Sequence, residues 1–274
     1  MNKRLILIFS GLLVLLLAFT IFALLNTKKG KLALSAKETM FSSASGLLTQ
    51  AKELETKDNL LDARVIYQRL ISEFSNSAEV MNWQKKIEDI NIKLLFSPIV
   101  TPKSRLYTIK PGDTLNKIAK EFRTTADLIM KSNHLRSDRI VPGRKIKVWL
   151  APFSILIDKS QNTLMLKSEE EIIKTYIIST GKDNSTPLGN LKITTKLLNP
   201  TWFKAGAVVP PGSPENILGT RWLGFDLPGY GIHGTTEPQT LGKQVTQGCI
   251  RMLNPDVEEL YSIVPVGTEV TIVD

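Results

Sequence analysis

Cys249, the only cysteine of the chain, follows His233 by sixteen residues. They lie in Gly229-Tyr230-Gly231-Ile232-His233-Gly234-Thr235 and Val245-Thr246-Gln247-Gly248-Cys249-Ile250-Arg251-Met252. A thiol is substantially thiolate near neutral pH only with a base or a positive neighbour, and an imidazole at hydrogen-bond distance supplies one. Cysteine and histidine are therefore a sufficient core for acyl transfer. Gly248 lets the backbone approach a substrate closely, so the Cys249 N–H, and with it that of Gly248, is expected to hold an oxyanion. Arg251 shares a face with Cys249 if this segment is a strand. There it would stabilise the thiolate or bind a substrate carboxylate. Taken singly, a cysteine is more often a small buried hydrophobe; the glycines and Arg251 around this one favour catalysis. Thr246 is either a hydrogen-bond partner of this loop or a β-former.

The surrounding segments predict a mainly-β domain over 151–274. Ser154–Asp158, Thr163–Lys167, Ile172–Thr180, Leu191–Thr195 and Val270–Val273 are β-rich, broken by Ser160-Gln161-Asn162 and Glu169-Glu170-Glu171. One helix is expected near 255–263. Trp202, Phe203, Trp222 and Tyr230 either line a substrate groove or fill the core.

Upstream, 106–150 reads as a βααβ unit. Leu106–Lys110 alternates as a strand, and Asp113 or Thr114 can cap a helix with Leu115, Ile118, Ala119 and Phe122 on one face. Thr124 or Thr125 caps a second helix, and Val141-Pro142-Gly143 turns into a last strand from Lys145 to Leu150. His134 lies in a loop of this unit with no partner nearby in sequence. Residues 31–96 have helical spacing and predict helices near 36–56, 58–74 and 77–95. Residues 97–105, with Pro98 and Pro102, read as a linker.

At the N-terminus, Leu5–Leu25 is an uncharged run of 21 residues between Lys3-Arg4 and Lys28, Lys29, Lys31. It is long enough to cross a bilayer as a helix and longer than the ~7–15 residues of a signal-peptide core. Residues 1–30 are read as an uncleaved membrane anchor, or signal-anchor. Residues 1–149 carry 25 Lys/Arg against 13 Asp/Glu, and 150–274 carry 10 against 13. The basic half suits anionic lipid, a wall polymer or nucleic acid, and an exported chain argues against the last. One cysteine excludes an internal disulfide. With two histidines in the whole chain, it also excludes Cys₄, Cys₂His₂ and His₃ zinc sites, so neither metal nor cofactor is expected.

Three stretches resemble known families. Asp62–Ile71 with Phe74 resembles the second helix of a tetratricopeptide repeat, read as a spacer or a protein-docking surface. Tyr107-Thr108-Ile109, Gly112-Asp113-Thr114-Leu115, Ile118-Ala119, Phe122, Asn133 and Ile140-Val141-Pro142-Gly143 resemble the LysM domain. That resemblance implies binding of N-acetylglucosamine glycans, in bacteria usually peptidoglycan, with Asp113, Thr114, Leu115, Pro142 and Gly143 lining the groove. Each of these also has a plain structural role as cap, core or turn. His233-Gly234, Thr246-x-Gly248-Cys249-Ile250-Arg251-Met252 with Asn254, Thr186-Pro187-Leu188-Gly189 and Leu218–Trp222 resemble the L,D-transpeptidase catalytic domain over about 154–274. Gln247 stands where many members have a second histidine.

The resemblance implies that Cys249 is the nucleophile and His233 the base that later serves as acid. Gly248 and Cys249 amides would form the oxyanion hole, and the Gly231 or Gly234 backbone would orient the imidazole. It also implies a reaction in which a peptidoglycan tetrapeptide stem acylates Cys249, releases D-alanine and passes to a neighbouring stem as a 3-3 cross-link. Water as acceptor would make a carboxypeptidase, and a wall-binding scaffold without catalysis is the alternative of another class. The expectation is a multidomain chain of membrane helix, helical segment, LysM domain and catalytic domain. It would be a single-pass protein of the bacterial cytoplasmic membrane, facing the cell wall or periplasm.

Overall fold

Leu60, Ala63, Tyr67 and Leu70 recur at helical spacing, and all four are buried along one stripe of the helix Leu60–Glu73. A computed structural model describes residues 44–204 and 206–274. The chain divides into two compact units, one through Gln84 and one from Lys85 to Asp274. In the first, residues 44–56 are helical and bury Leu47 and Ala51. The Tyr67 hydroxyl donates to Glu55 Oε1 at 2.6 Å and ties this helix to the next. A third helix, Val80–Leu95, runs on into the second unit. The expected membrane helix at Leu5–Leu25 lies outside the described residues. Among the described residues no helix is long and apolar enough to cross a membrane.

The βααβ unit forms as its pattern predicts. Ser104–Thr108 pairs antiparallel with Lys145–Trp149. Between them, Thr114 caps the helix Leu115–Glu121 and Thr125 caps Ala126–Ser132, each hydroxyl accepting an amide of the first turn. Asn133 closes the unit by pairing with the Lys147 backbone, N–H to Oδ1 at 2.7 Å and Nδ2 to carbonyl at 2.8 Å.

Residues 97–105 differ from the linker expectation. Thr101 and Ser104 are buried, with the Thr101 amide donating to Ser104 Oγ at 2.8 Å. Lys103 Nζ reaches the Ser168 carbonyl at 2.8 Å and Glu171 at 2.9 Å on the β-rich domain. Lys147 is fully buried, and its ammonium holds the Leu94 and Ser97 carbonyls, at 2.5 and 2.8 Å, at the end of the third helix. Thr125 Oγ1 donates to the Ser262 carbonyl, and Lys131 Nζ donates to Ser262 Oγ at 2.7 Å. Leu95, Leu128 and Trp149 belong to the same hydrophobic core as the strands of the β-rich domain. The linker at 97–105 is thus an ordered turn, held by Lys103 from within and by the buried Lys147 from the last strand of the βααβ unit.

Eight strands form the main sheet of the β-rich domain. Their order is Ile250–Arg251, Gly231–His233, Arg221–Phe225, Gly189–Leu198, Glu269–Val273, Phe153–Asp158, Thr163–Ser168 and Glu171–Ile177. Alternate residues of Phe153–Asp158 are buried, as the period-two pattern requires. The helix Asn254–Ile263 closes the core through Val257, Leu260 and Ile263. Lys196 Nζ holds its last carbonyls, Tyr261 at 2.6 Å and Val264 at 2.8 Å. Trp202–Lys204 and Ala207–Val209 pair antiparallel as a hairpin, strands that the aromatic residues at 202 and 203 do not announce.

Candidate active site

The strand register brings the chemistry together. Gly231–His233 pairs parallel with Ile250–Arg251, Ile232 opposite Ile250 and His233 opposite Arg251. One residue earlier, Cys249 is level with Gly231. Parallel partners project to the same face, so His233, Arg251 and Cys249 share it. All three side chains line a cleft of about 910 Å³ with Trp202, Phe203, Trp222 and Tyr230. The four aromatic residues are therefore cleft walls.

His233 is buried, and its Nδ1 lies 2.7 Å from the Gly234 carbonyl. A carbonyl only accepts, so Nδ1 carries the proton and Nε2 is a bare acceptor. Of the two glycines expected to orient the ring, Gly234 does so. Trp222, the cross-strand partner of His233, stacks on the imidazole with centroids 6.0 Å apart and 17° between planes. Burial, with the Arg251 charge adding to it, holds the imidazolium form down to a pKa of about 4, against a raising effect of the Gly234 bond. Burial pushes the Cys249 thiol up, partly offset by the Gly231 amide, and the S–H donates to the Gly229 carbonyl at 3.4 Å. At rest the pair is neutral thiol and neutral imidazole, rather than the thiolate that an adjacent base alone would suggest.

Two threonines fix the nucleophile loop. Thr246 Oγ1 accepts the Gly248 N–H at 3.1 Å and donates to the Cys249 carbonyl at 2.6 Å. Thr186 Oγ1 donates to the Gly248 carbonyl at 2.9 Å and accepts the Gly181 N–H at 2.7 Å. The Gly248 amide is thus occupied, contrary to the expectation that it joins an oxyanion hole. The Cys249 amide has no partner among the described residues and is the one open donor of the pair. Gly248 serves by conformation instead: its φ is +129°, and a Cβ there would meet Tyr230 Cε1 at 2.6 Å and the Ser185 carbonyl at 3.1 Å.

Arg251 is buried, and its Nη1 donates to Glu237 Oε2 at 2.7 Å and Thr240 Oγ1 at 2.9 Å. It braces the 235–241 loop, and its charge disfavours imidazolium at His233. Asn254 holds the other side: Oδ1 accepts the Thr235 amide at 3.0 Å and the Thr220 amide at 3.3 Å, while Nδ2 donates to the Thr235 carbonyl at 2.9 Å. A Cβ on Gly219 or Gly234 would strike that oxygen at 2.2 or 2.1 Å. Sequence reasoning missed Glu237 and gave no role to Asn254 or Thr186. Glycines at 219 and 234 were the available signal for a close packing partner.

In the βααβ unit the expected glycan residues are mostly committed elsewhere. Asp113 Oδ2 accepts the Tyr107 hydroxyl and the Lys110 amide, both at 2.8 Å, and these bonds hold its carboxyl below the usual range. Thr114 is the helix cap and Leu115 is core. Pro142 and Gly143 are exposed in the turn before the last strand, where Gly143 has φ +89°. His134 is likewise exposed.

A thiol, a fixed-tautomer imidazole and an open amide in one cleft define a cysteine acyltransferase. The model for the L,D-transpeptidase catalytic domain matches residues 152–272, and that for the LysM domain matches 107–149. YkuD of Bacillus licheniformis, named as an L,D-transpeptidase, is 38% identical over 175 residues, which span 61% of this chain and 98% of YkuD. YqjB of Bacillus subtilis, named likewise, is 41% identical over 126 residues, 44% of this chain and 70% of YqjB. Among solved structures, an L,D-transpeptidase from Mycobacterium smegmatis aligns with TM-score 0.39 and 20% identity, covering 49% of this chain and 65% of its own. The chain belongs to the L,D-transpeptidase family of acyltransferases, with a LysM domain ahead of the catalytic one.

Proposed function

We propose that the protein cross-links peptidoglycan, taking a tetrapeptide stem as acyl donor and the side-chain amine of a neighbouring stem as acceptor, to give a 3-3 linkage. The observation that supports acyl transfer is the open amide of Cys249 in a cleft whose imidazole is held as a bare Nε2 acceptor, and membership of the L,D-transpeptidase family supports the peptidoglycan substrate. Cys249 Sγ attacks the carbonyl of the third stem residue and its proton passes to His233. The oxyanion is held by the Cys249 amide. His233 then protonates the leaving D-alanine amine, which departs and leaves a thioester. The acceptor amine attacks the thioester, gives its proton to His233, and the thiol is restored. Arg251 shapes the site through Glu237 and opposes early protonation of His233.

In the same reading the LysM domain engages the glycan strand, with the exposed Pro142-Gly143 turn as the best placed of the candidate contacts. Residues 1–30 anchor the chain in the cytoplasmic membrane, with the catalytic domain on the wall side. The helical segment spaces the domains from the bilayer or docks a protein.

The test incubates the protein with purified tetrapeptide muropeptides beside Cys249→Ala and follows products by mass. A Cys249-dependent dimer with loss of D-alanine is expected. A tripeptide alone would replace cross-linking by hydrolysis, and turnover retained in Cys249→Ala would overturn the assignment.

A further inference from the structure

Gly248 and Cys249 together present four backbone polar atoms, and three are held. Thr246 takes the Gly248 N–H and the Cys249 carbonyl, and Thr186 takes the Gly248 carbonyl. The Gly248 carbonyl and the Cys249 N–H belong to one planar peptide unit, in which they point in opposite directions. Whatever fixes that carbonyl therefore aims that N–H. Thr186 is only 2% exposed and comes from a segment 62 residues away in sequence, between the Thr180–Gly181 strand and the Gly189–Leu198 strand. Its hydroxyl is itself directed: the Gly181 N–H donates to Oγ1 at 2.7 Å, which leaves the hydroxyl hydrogen for the Gly248 carbonyl at 2.9 Å.

Glycine at 248 makes such a brace necessary. A residue at φ +129° without a Cβ has no side-chain sterics of its own to choose one orientation of the next peptide. Thr246 bonds atoms on both sides of that peptide but neither of its own polar atoms. Among the described residues Thr186 is the one hydrogen-bonded to that peptide's own polar atoms.

We propose that Thr186 is a positioning residue for catalysis, which aims the Cys249 amide at the developing oxyanion by gripping the carbonyl of the same peptide. The proposal rests on Cys249 as nucleophile and does not depend on which peptide or glycan is the natural substrate.

Two reagents separate this role from general support of the site. p-Nitrophenyl acetate acylates a thiol through a tetrahedral oxyanion: the S–C bond forms, p-nitrophenolate leaves, and the thiol proton goes to His233. Iodoacetamide alkylates by displacement of iodide at carbon, with no oxyanion. In the full chain, Thr186→Val is expected to slow Cys249-dependent p-nitrophenolate release about 10- to 100-fold, below or at the lower edge of what loss of an oxyanion donor costs. Alkylation should stay within about twofold, and Thr186→Ser should restore acylation, because it keeps the hydroxyl. Equal loss of both reactions, unchanged acylation in Thr186→Val, or selective loss in Thr186→Ser would each overturn the proposal. Should Thr186→Val fail to fold, Thr186→Ser and Thr186→Ala carry the same comparison, and failure of all three to fold assigns the residue to stability alone and overturns it. A wild-type protein that is acylated by the ester yet inert to muropeptides would count against the proposed substrate, not against Thr186.

Discussion

The neutral resting state of Cys249 and His233 can be tested by pH. The imidazole has a pKa of about 4 against an ordinary 6.5, and burial pushes the thiol above its ordinary 9.0. Five pH units therefore separate the two groups before the upward push on the thiol is counted. Moving the proton from sulfur to imidazole costs about 7 kcal/mol before the attraction within the resulting ion pair is included. An attraction of about 4 kcal/mol at close range does not close that gap. The thiolate should thus form only during attack, with Nε2 as general base. Because the chain has one cysteine, iodoacetamide incorporation followed by intact mass reads this site alone. Its rate should climb about tenfold per pH unit through pH 7 to 9, without a plateau at lower pH, since only thiolate reacts. A pH-independent rate between pH 5 and 7 would mean a preformed ion pair and would refute the reasoning. Stability supplies an independent check with a fixed sign. The folded pKa of His233 is depressed, so above pH 6.5 the ring is neutral in both states and costs nothing. As pH falls from 6.5 towards 4, the unfolded chain takes up the proton first and the fold loses up to about 3 kcal/mol. Chemical denaturation should show this acid loss reduced in His233→Gln.

Two further substitutions test the scaffold. Gly248→Ala places a Cβ against Tyr230 at 2.6 Å with φ at +129°, and should cost about 2–4 kcal/mol in denaturant unfolding together with at least a tenfold loss of ester acylation; stability and acylation like the wild type would show the loop to be freely adjustable. Asn254→Ala leaves the Thr220 and Thr235 amides and the Thr235 carbonyl without their partner. It should cost about 2–5 kcal/mol and lower kcat more than it raises KM, because the segment after His233 loses its clamp while the cleft walls remain.

The strands were legible because their burial alternates. Ser154–Asp158 and Val270–Val273 needed only period two, although their parallel pairing side by side in the eight-stranded sheet is a distant contact that no local pattern marks. Cys249 and His233 were legible because a lone thiol directly after a glycine and two residues before an arginine, with a histidine sixteen residues upstream, has few other uses. What escaped the sequence were hydroxyl and amide side chains acting on distant backbone. Thr186 and Asn254 are ordinary polar residues in loops or at a helix start, and their partners lie 62 and 19 or 34 residues away. No local period marks such a contact. Gly248 was misread for a related reason. Its small size suggested an open amide, whereas Thr246, two residues earlier, takes that amide and the missing Cβ instead accommodates Tyr230.

The same kind of distant contact changes what the LysM domain can contribute. On a loose linker, its effect on catalysis would be an effective concentration set by linker length. Residues 97–105 do not behave as such a linker. Lys103 grips the Ser168 carbonyl, Thr125 and Lys131 meet Ser262, and Leu128 and Trp149 share the catalytic core. Burial lowers Lys147 to a pKa of about 8, yet its ammonium remains mostly charged at pH 7 against the Leu94 carbonyl of the third helix and the Ser97 carbonyl just beyond it. Removing one such partner strands buried polar groups, so the contacts resist separation. A glycan held by this LysM domain would then meet the cleft at one distance and orientation. In the proposed reaction that geometry would bear on which stem reaches Cys249 more than on how often one arrives.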